Sequence, residues 1–281
     1  MRTGLNRTLG THARPPERDR TVPTGRSTNM ASSLTRGAVV HAVAKPLARN
    51  YTWKMMLPHM PVAVIFDMDG LIFDTETLYQ EAFLAAATVG GHDLPTAVIQ
   101  RTIGVPWVQS RVLLLEQMGP DFPIDQYFAQ MIGHFELLAA TQLRLKPGVV
   151  ELLDLLDQLA MPRCIATSSA HSTVQSHLSA HGLADRFHAV IGHGDYVASK
   201  PSPDPFLTAA KRLGVDPSLC LALEDSYNGV RSASAAGMMT FMVPDLLSPT
   251  PEIQSLCTGV VSDLHAVRKL ILTASAAGIA G

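Results

Sequence analysis

The sequence predicts an α/β protein that has a largely parallel β-sheet and one inserted block of helices. Short, continuous apolar runs recur along the chain, which is typical of strands that are buried on both faces. These runs are VAVIF (62–66), RCIAT (163–167), HAVIG (188–192), LCLAL (219–223), TFMV (240–243) and GVV (259–261). Helical patterns lie between them at 148–160, 171–182, 203–213 and 227–236. The alternation of strand and helix indicates βαβ crossover units.

The segment between the first two strand runs is too long for a simple crossover and carries no strong strand signal. It contains three helical patterns, at 81–91, 111–119 and 124–140. We therefore expect an inserted helical domain over 76–144, with the core formed by 61–75 and 145–281. The tripeptide KPG (146–148) marks the return of the chain to the core.

Composition excludes several classes of protein. Of the 281 residues, 47% are hydrophobic, so most of the chain is not disordered. The three cysteines, at 164, 220 and 257, form neither a disulfide framework nor a metal-binding pair, which favours a reducing compartment and a cytoplasmic location. No apolar run approaches the roughly 18 residues of a membrane span, so no membrane association is expected.

The formal net charge of −2 conceals a basic leader and an acidic body. Residues 1–60 hold ten Lys or Arg and two acids, whereas the remaining 221 residues carry −10. The body therefore lacks the charge of a nucleic-acid-binding protein. We interpret 1–60 as disordered; an inert leader, an organelle-targeting segment and a nucleic-acid or membrane-surface tail all remain open.

Carboxylates follow two of the predicted strands. Asp67 and Asp69 come directly after the first strand, and Glu224 and Asp225 end the run LCLALED. The carboxyl ends of parallel strands meet at one sheet edge, where ligands bind. Oxygen ligands without histidine or cysteine spacing favour Mg²⁺. Taken alone, Asp67 and Asp69 also fit a turn cap.

Hydroxyl groups and one ammonium group follow two other strands. The run RCIATSS ends in Thr167, Ser168 and Ser169 ahead of a helix, which suits an oxyanion or phosphate. Lys200 precedes Pro201 and a helix that begins near Pro203, so its ammonium could neutralise a phosphate. Each is a weak signal alone, and their order at successive strand ends strengthens them.

The segments DMDGL, IATSS, SKPSPDPF and LEDSYNGVRSASAAGM together resemble the haloacid dehalogenase-like (HAD) phosphohydrolases. More narrowly, they resemble the branch that contains β-phosphoglucomutase and sugar-phosphate, phosphoglycolate and pseudouridine-phosphate phosphatases. The resemblance covers about 61–272, with all four motifs in order. It implies a Rossmann-like core and identifies the helical block as a cap domain.

The resemblance also implies a mechanism and a set of roles. Asp67 would be the nucleophile that forms an aspartyl-phosphate, and Asp69 the general acid and base. Mg²⁺ would be held by Asp67, the backbone carbonyl of Asp69 and Asp225, with Glu224 as a direct or outer-shell ligand. The predicted enzyme is a phosphoric monoester hydrolase acting on a small phosphate ester, as a monomer or weak dimer.

The remaining site residues serve the phosphoryl group and the substrate. Thr167 would hydrogen-bond a phosphoryl oxygen, and Lys200 would tie the phosphoryl group to the nucleophile. Gly70 and Ser168 are expected to contact substrate. For Glu76 at the hinge, contact with substrate and a polar helix start remain open.

The cap residues bear on the choice between a phosphatase and a β-phosphoglucomutase. The mutases carry a histidine five residues after the aspartate that corresponds to Asp74, and Tyr79 stands at that position. A cap arginine of the mutases aligns with Trp107, while Arg111 lies four residues further on. Both departures favour hydrolysis, and Trp107 either stacks on a ring-shaped leaving group or packs in the cap.

Two further possibilities belong to other classes. A non-catalytic binding protein on the same fold would have lost a nucleophile or ligand, and a dehalogenase would not need Asp69. The histidines His171, His177 and His181 lie on one predicted helix. We expect them to be surface or interface residues, with a metal site as the minor alternative.

Overall fold

The computed structural model describes residues 56–102 and 107–278, except that the side chain of Trp107 is not described. It contains a six-stranded parallel sheet in the order β3-β2-β1-β4-β5-β6. The strands are β1 Ala63–Phe66, β2 Arg163–Ala166, β3 Ala189–Ile191, β4 Cys220–Glu224, β5 Met239–Met242 and β6 Gly259–Val260. Each coincides with one of the apolar runs, so the α/β prediction is confirmed. The predicted leader lies almost entirely outside the described residues.

The helices of the described residues fall into two groups. Those between β1 and β2 are α1 Thr75–Val89, α2 Thr96–Gln100, α3 Trp107–Met118, α4 Ile124–Gln142 and α5 Val149–Gln158. Those that follow β2 are α6 His171–Ala180, α7 Asp204–Leu213, α8 Tyr227–Ala235, α9 Pro251–Leu256 and α10 Leu264–Ala276, with a 3₁₀ turn at Pro217–Leu219. None of these helices is long and apolar enough to cross a membrane.

Apolar side chains cover both faces of the sheet because its strands are parallel and buried. On one face, residues such as Phe66 and Phe241 pack with α5 and α10. On the other, Ile65 and Ala222 pack with Phe206 of α7. Leu57 lies ahead of the predicted start of the body at Pro61 and is already buried in the first of these clusters.

Helices α1 to α4 surround an apolar cluster of their own, whose members include Phe83, Leu114, Tyr127 and Phe128. The chain enters and leaves this group side by side. The amide of Asp74 donates to the carbonyl of Arg144 over 2.9 Å, and the amide of Lys146 donates to that of Ile72 over 2.9 Å. These bonds form a narrow hinge. The division into core and cap at 76 and 144 stays a prediction that this separate cluster favours.

Candidate active site

The acidic residues after β1 lie on a tight turn at the carboxyl edge of the sheet. The amide of Asp67 donates to the carbonyl of Leu223 over 3.0 Å, which extends the pairing of β1 with β4. Gly70 has a φ of +81°, and a Cβ there would lie 2.3 Å from Asp225 Oδ2. Only glycine fits that conformation and that space, so Gly70 lets the turn press against the next strand end.

The acidic residues of β4 meet those of β1 because the two strands are neighbours in the sheet. Glu224 is the last residue of β4, and Asp225 follows it. Ligand oxygens of Asp67, Glu224 and Asp225 all lie within 4.8 Å of one another, and all three residues are buried. Within the described residues, this carboxylate group is suited by its chemistry to a hard cation.

Lys200 bridges two of these carboxylates. It lies between β3 and α7, and its Nζ is 2.5 Å from Asp67 Oδ1 and 2.5 Å from Glu224 Oε1. The side chain is almost completely buried, with its ammonium over the ring of Phe206. One buried positive charge therefore offsets part of the repulsion among three acids.

Glu224 is fully buried and has both carboxylate oxygens occupied. Oε1 accepts from Lys200, while Oε2 accepts from the amides of Asp225 and Ser226, at 3.1 and 3.2 Å, and from the Ser226 hydroxyl at 3.0 Å. Ser226 is also the N-cap of α8, since its hydroxyl accepts from the amide of Gly229. A Cβ at position 229 would lie 1.8 Å from the Glu224 carboxylate. The start of α8 thus forms a tight seat for this side chain.

Asp69 faces the hydroxyl groups at the end of β2. Its Oδ2 accepts from Ser169 Oγ at 2.7 Å and from Thr167 Oγ1 at 3.4 Å. Thr167 in turn accepts from the amide of Ser169 at 3.0 Å. Ser168, which we expected to contact substrate, is exposed at the same turn and lines the cavity. Ser169, which the sequence placed among the strand-end hydroxyls without a role of its own, is therefore the hydroxyl nearest to Asp69.

Burial controls the protonation of the central acids. It raises the pKa of Asp67 well above its ordinary value, while Lys200 opposes the rise and Glu224 adds to it. The pKa of Asp225 is also raised well above its ordinary value, by burial first and then by Glu224 and Asp67. A bound divalent cation would remove this penalty by neutralising the carboxylates.

A cavity of about 560 Å³ lies over this edge of the sheet, between it and the helical group. The core side of the cavity is polar and carries Asp67, Asp69, Thr167, Lys200 and Asp225. The helical side supplies Glu76, Tyr79, Gln80, Phe83, Ile99, Thr102, Ser110, Phe128, Met131 and Ile132. The candidate catalytic residues therefore line a partly open cavity that is large enough for a small molecule.

Glu76 sits in the first turn of α1 and lines the cavity. Burial, and then the negative charges of Asp69 and Asp245, raise its pKa from 4.5 to about 8. Behind it, Lys146 Nζ lies 2.6 Å from Asp245 and 3.9 Å from Asp74. This ion-pair group joins the two chain segments of the hinge to the loop after β5. The sequence prediction did not include it.

The other cap predictions have mixed outcomes. Tyr79 lines the cavity and stacks on Phe135, with ring centroids 3.9 Å apart. Arg111 does not line this cavity; it pairs with Asp125 on an exposed face of the cap. Trp107 begins α3, but its side chain lies outside the described part of the structure.

The three histidines do not form a metal site among the described residues. His171 is exposed and pairs with Asp195 at 2.8 Å. His177 is buried, and its ring centroid lies 5.5 Å from that of Phe73. His181 contacts the carbonyl of Leu143 through Nε2 at 3.1 Å. The expectation of a surface or interface position holds for His171, whereas His177 and His181 pack at the hinge.

Comparison with known proteins agrees with this geometry. Residues 62–237 match the family model of haloacid dehalogenase-like hydrolases. The chain is 37% identical over 187 residues to a probable pseudouridine-5′-phosphatase of Drosophila melanogaster, covering 64% of this chain and 80% of that protein. It is 31% identical over 222 residues to hexitol phosphatase B of Escherichia coli K12, covering 78% of this chain and 98% of the relative.

A solved structure supports the same assignment. A putative β-phosphoglucomutase from Thermotoga maritima superimposes with a TM-score of 0.64 at 26% identity, covering 74% of this chain and 97% of the other. The fold and the strand-end carboxylates define the class: a parallel α/β protein with an acidic site and a helical insertion. The chain belongs to the haloacid dehalogenase-like hydrolase family. The predicted enzyme class, phosphoric monoester hydrolase, is confirmed.

Proposed function

We propose that this enzyme hydrolyses the phosphate monoester of a small molecule through an aspartyl-phosphate on Asp67. The observation that carries the proposal is the convergence of Asp67, Lys200, Glu224 and Asp225 at one buried point beneath the cavity. Phosphatase names among the relatives support the reaction class. No other arrangement of nucleophile, acid and ammonium lies in that cavity among the described residues.

In the first step, a carboxylate oxygen of Asp67 attacks phosphorus, and the bond from phosphorus to the leaving alkoxide breaks. Asp69 gives its proton to that alkoxide, which leaves as the alcohol. The ammonium of Lys200 holds Asp67 in position and offsets the charge of the phosphoryl oxygens. Thr167 donates a hydrogen bond to the transferring group, because its hydroxyl lines the cavity 3.4 Å from Asp69 Oδ2.

In the second step, Asp69 removes a proton from water, which attacks phosphorus and releases Asp67 and inorganic phosphate. The hydroxyl of Ser169 keeps Asp69 at the cavity floor by the 2.7 Å hydrogen bond. The two carboxylates differ in their partners, since Lys200 contacts Asp67 whereas two neutral hydroxyls contact Asp69.

We further propose Mg²⁺ as the cofactor, held by Asp67, the backbone carbonyl of Asp69 and Asp225. When bound, the ion supplies positive charge that offsets the carboxylates and the phosphoryl group. Both oxygens of Glu224 already accept hydrogen bonds, so we assign Glu224 the outer-shell position. Glu224 then positions Lys200 and the start of α8.

We favour hydrolysis over a β-phosphoglucomutase-type transfer. Tyr79 occupies the position of the mutase histidine and stacks on Phe135, so no proton-transferring imidazole stands there. Arg111 is paired with Asp125 away from the cavity, so it is not placed to hold a second phosphate. The complete acidic site likewise argues against a non-catalytic binding protein.

All three cysteines are free thiols, which supports a cytoplasmic location.

The test is phosphate release from p-nitrophenyl phosphate by wild type, Asp67→Asn and Asp69→Asn. Asp185→Asn, on an exposed loop, is the matched control. We expect the first two variants to lose activity while their circular dichroism is unchanged, and the control to retain it. EDTA should abolish activity and Mg²⁺ restore it. Retained turnover by folded Asp67→Asn would refute the nucleophile, and indifference to chelation would refute the cofactor.

A further inference from the structure

The helical wall of the cavity carries information about the substrate that the catalytic residues do not. Five of its residues are apolar: Phe83, Ile99, Phe128, Met131 and Ile132. Tyr79 adds a ring that is fixed by stacking on Phe135. The catalytic residues of the opposite wall contact the phosphoryl group, so the leaving group of a bound ester faces this apolar wall.

Within the described residues, the same wall offers no positive charge. Among the described residues that line the cavity, Lys200 is the only lysine or arginine, and it is already bound to Asp67 and Glu224. The only lining imidazole among them, His193, lies on the exposed core-side loop after β3. A second phosphate or a carboxylate on the leaving group would therefore find no cation on the helical wall of this part of the chain.

The titratable groups that face the leaving group are acids, which supply no positive charge. Glu76 lines the cavity at the start of α1, and the carboxyl of Asp69 lines the core side. Burying an anion without a partner is costly in such a site.

We propose that the substrate is a phosphate monoester whose leaving group is otherwise uncharged and presents an apolar or ring face. The inference rests on the proposed phosphatase function and adds the substrate class. Gln80, Thr102 and Ser110 add neutral polar side chains to the lining. Each methylene moved from water onto the apolar wall favours binding by about fourfold.

Two pairs of esters separate charge from shape. Benzyl phosphate is compared with 4-carboxybenzyl phosphate, and sorbitol 6-phosphate with 6-phosphogluconate, by kcat/KM for phosphate release. In each pair we expect the carboxylate to lower kcat/KM by at least roughly tenfold. The kcat/KM for benzyl phosphate should also exceed that for sorbitol 6-phosphate.

A charge variant tests the wall directly. Ile132 lines the cavity and is half-exposed in α4, so Ile132→Lys places an ammonium there without burying it fully. The ratio of kcat/KM for 4-carboxybenzyl phosphate to that for benzyl phosphate should rise by about tenfold. Leu137→Lys, on an exposed position of the same helix outside the cavity, should leave the ratio unchanged.

The outcomes are distinct. Equal or higher kcat/KM for the carboxylate esters, or a preference for sorbitol 6-phosphate over benzyl phosphate, would overturn the inference and leave the phosphatase function standing. An Ile132→Lys variant that folds but keeps the wild-type ratio would also overturn it. No phosphate release from any ester, including p-nitrophenyl phosphate, would overturn the proposed function together with the inference.

Discussion

Gly229 is the position where an ordinarily favourable substitution should damage the protein. It lies in the first turn of α8, directly against the buried carboxylate of Glu224. Glycine within a helix is less favourable than alanine by about 1 kcal/mol, so Gly→Ala usually stabilises a helix. Here the new Cβ would lie 1.8 Å from the carboxylate carbon and one of its oxygens. The side chain of Glu224 would have to move away from the start of α8.

The expected cost follows from the contacts that Glu224 would lose. They are the ion pair with Lys200 and the hydrogen bonds from the amides of Asp225 and Ser226. Breaking a buried ion pair so that a charge is left uncompensated costs about 3–5 kcal/mol. After subtraction of the helix gain, Gly229→Ala should lower the free energy of unfolding by about 2–4 kcal/mol. Because Lys200 also holds Asp67, activity should fall too.

The chain offers a matched control at Gly133, in the middle of α4. A Cβ at that position meets no atom within 4 Å. Gly133→Ala should therefore raise stability by up to about 1 kcal/mol. Denaturation by urea, followed by circular dichroism with EDTA present, measures both variants, and phosphate release measures activity. A Gly229→Ala enzyme as stable and active as wild type would refute the assigned role of Glu224.

Three further predictions concern single side chains. Lys200→Met should abolish activity and lower stability by about 3–5 kcal/mol, because two buried carboxylates lose their counter-ion; Lys211→Met, at the exposed end of α7, should change neither. Ser169→Ala should lower kcat about tenfold with little change in KM, since a hydrogen bond to a charged group is lost; an unchanged kcat would contradict this. The raised pKa of Glu76, about 8, means that the folded protein keeps a proton that the unfolded chain releases near 4.5. Metal-free wild type should therefore lose stability as the pH rises between these values, and Glu76→Gln should lose less, because only the buried Asp67 and Asp225 then remain with a raised pKa; the same pH dependence of the free energy of unfolding in both proteins would refute it.

The sheet could be predicted closely because its strands are short apolar runs separated by helices. The first of them, 62–66, became β1 Ala63–Phe66, and the last, 259–261, became β6 Gly259–Val260. Weaker helices were missed. One is α10, which has an apolar face and an N-cap, Asp263, that accepts a hydrogen bond from the amide of Ala266. It follows the last predicted strand, so no second strand beyond it marked the segment as a crossover helix.

The site was predictable where residues follow directly on strand ends, and less so where turns orient them. Asp67 and Asp225 meet because β1 and β4 are neighbours in the sheet. Since the two strands are parallel, their carboxyl ends lie at the same edge. The choice between Ser168 and Ser169 depends on the turn after β2, so the sequence pattern could not decide which hydroxyl reaches Asp69. Gly229 could not be assigned a role from the sequence. Glycine is needed there because the Glu224 carboxylate lies directly against the helix, and only the folded structure shows that contact.

The hinge also joins residues that lie far apart in the sequence. Lys146 and Asp245 are 99 positions apart and form a 2.6 Å ion pair beside Asp74. His181 likewise reaches the carbonyl of Leu143 across the hinge. No local pattern marks such pairs, since each residue taken alone resembles an ordinary surface residue.

The phosphoryl group is expected to pass through Asp67. Asp69→Asn enzyme, mixed with p-nitrophenyl phosphate and Mg²⁺, should retain the phosphoryl group, because p-nitrophenolate leaves without the proton of Asp69 whereas the base that activates water is missing. Rapid quenching followed by borohydride reduces an acyl phosphate to an alcohol, and tandem mass spectrometry of the digested protein locates the change. The account predicts reduction at Asp67, with none when Asp67→Asn is combined with Asp69→Asn. Label at another residue, or phosphate release without any trapped acyl phosphate, would contradict it.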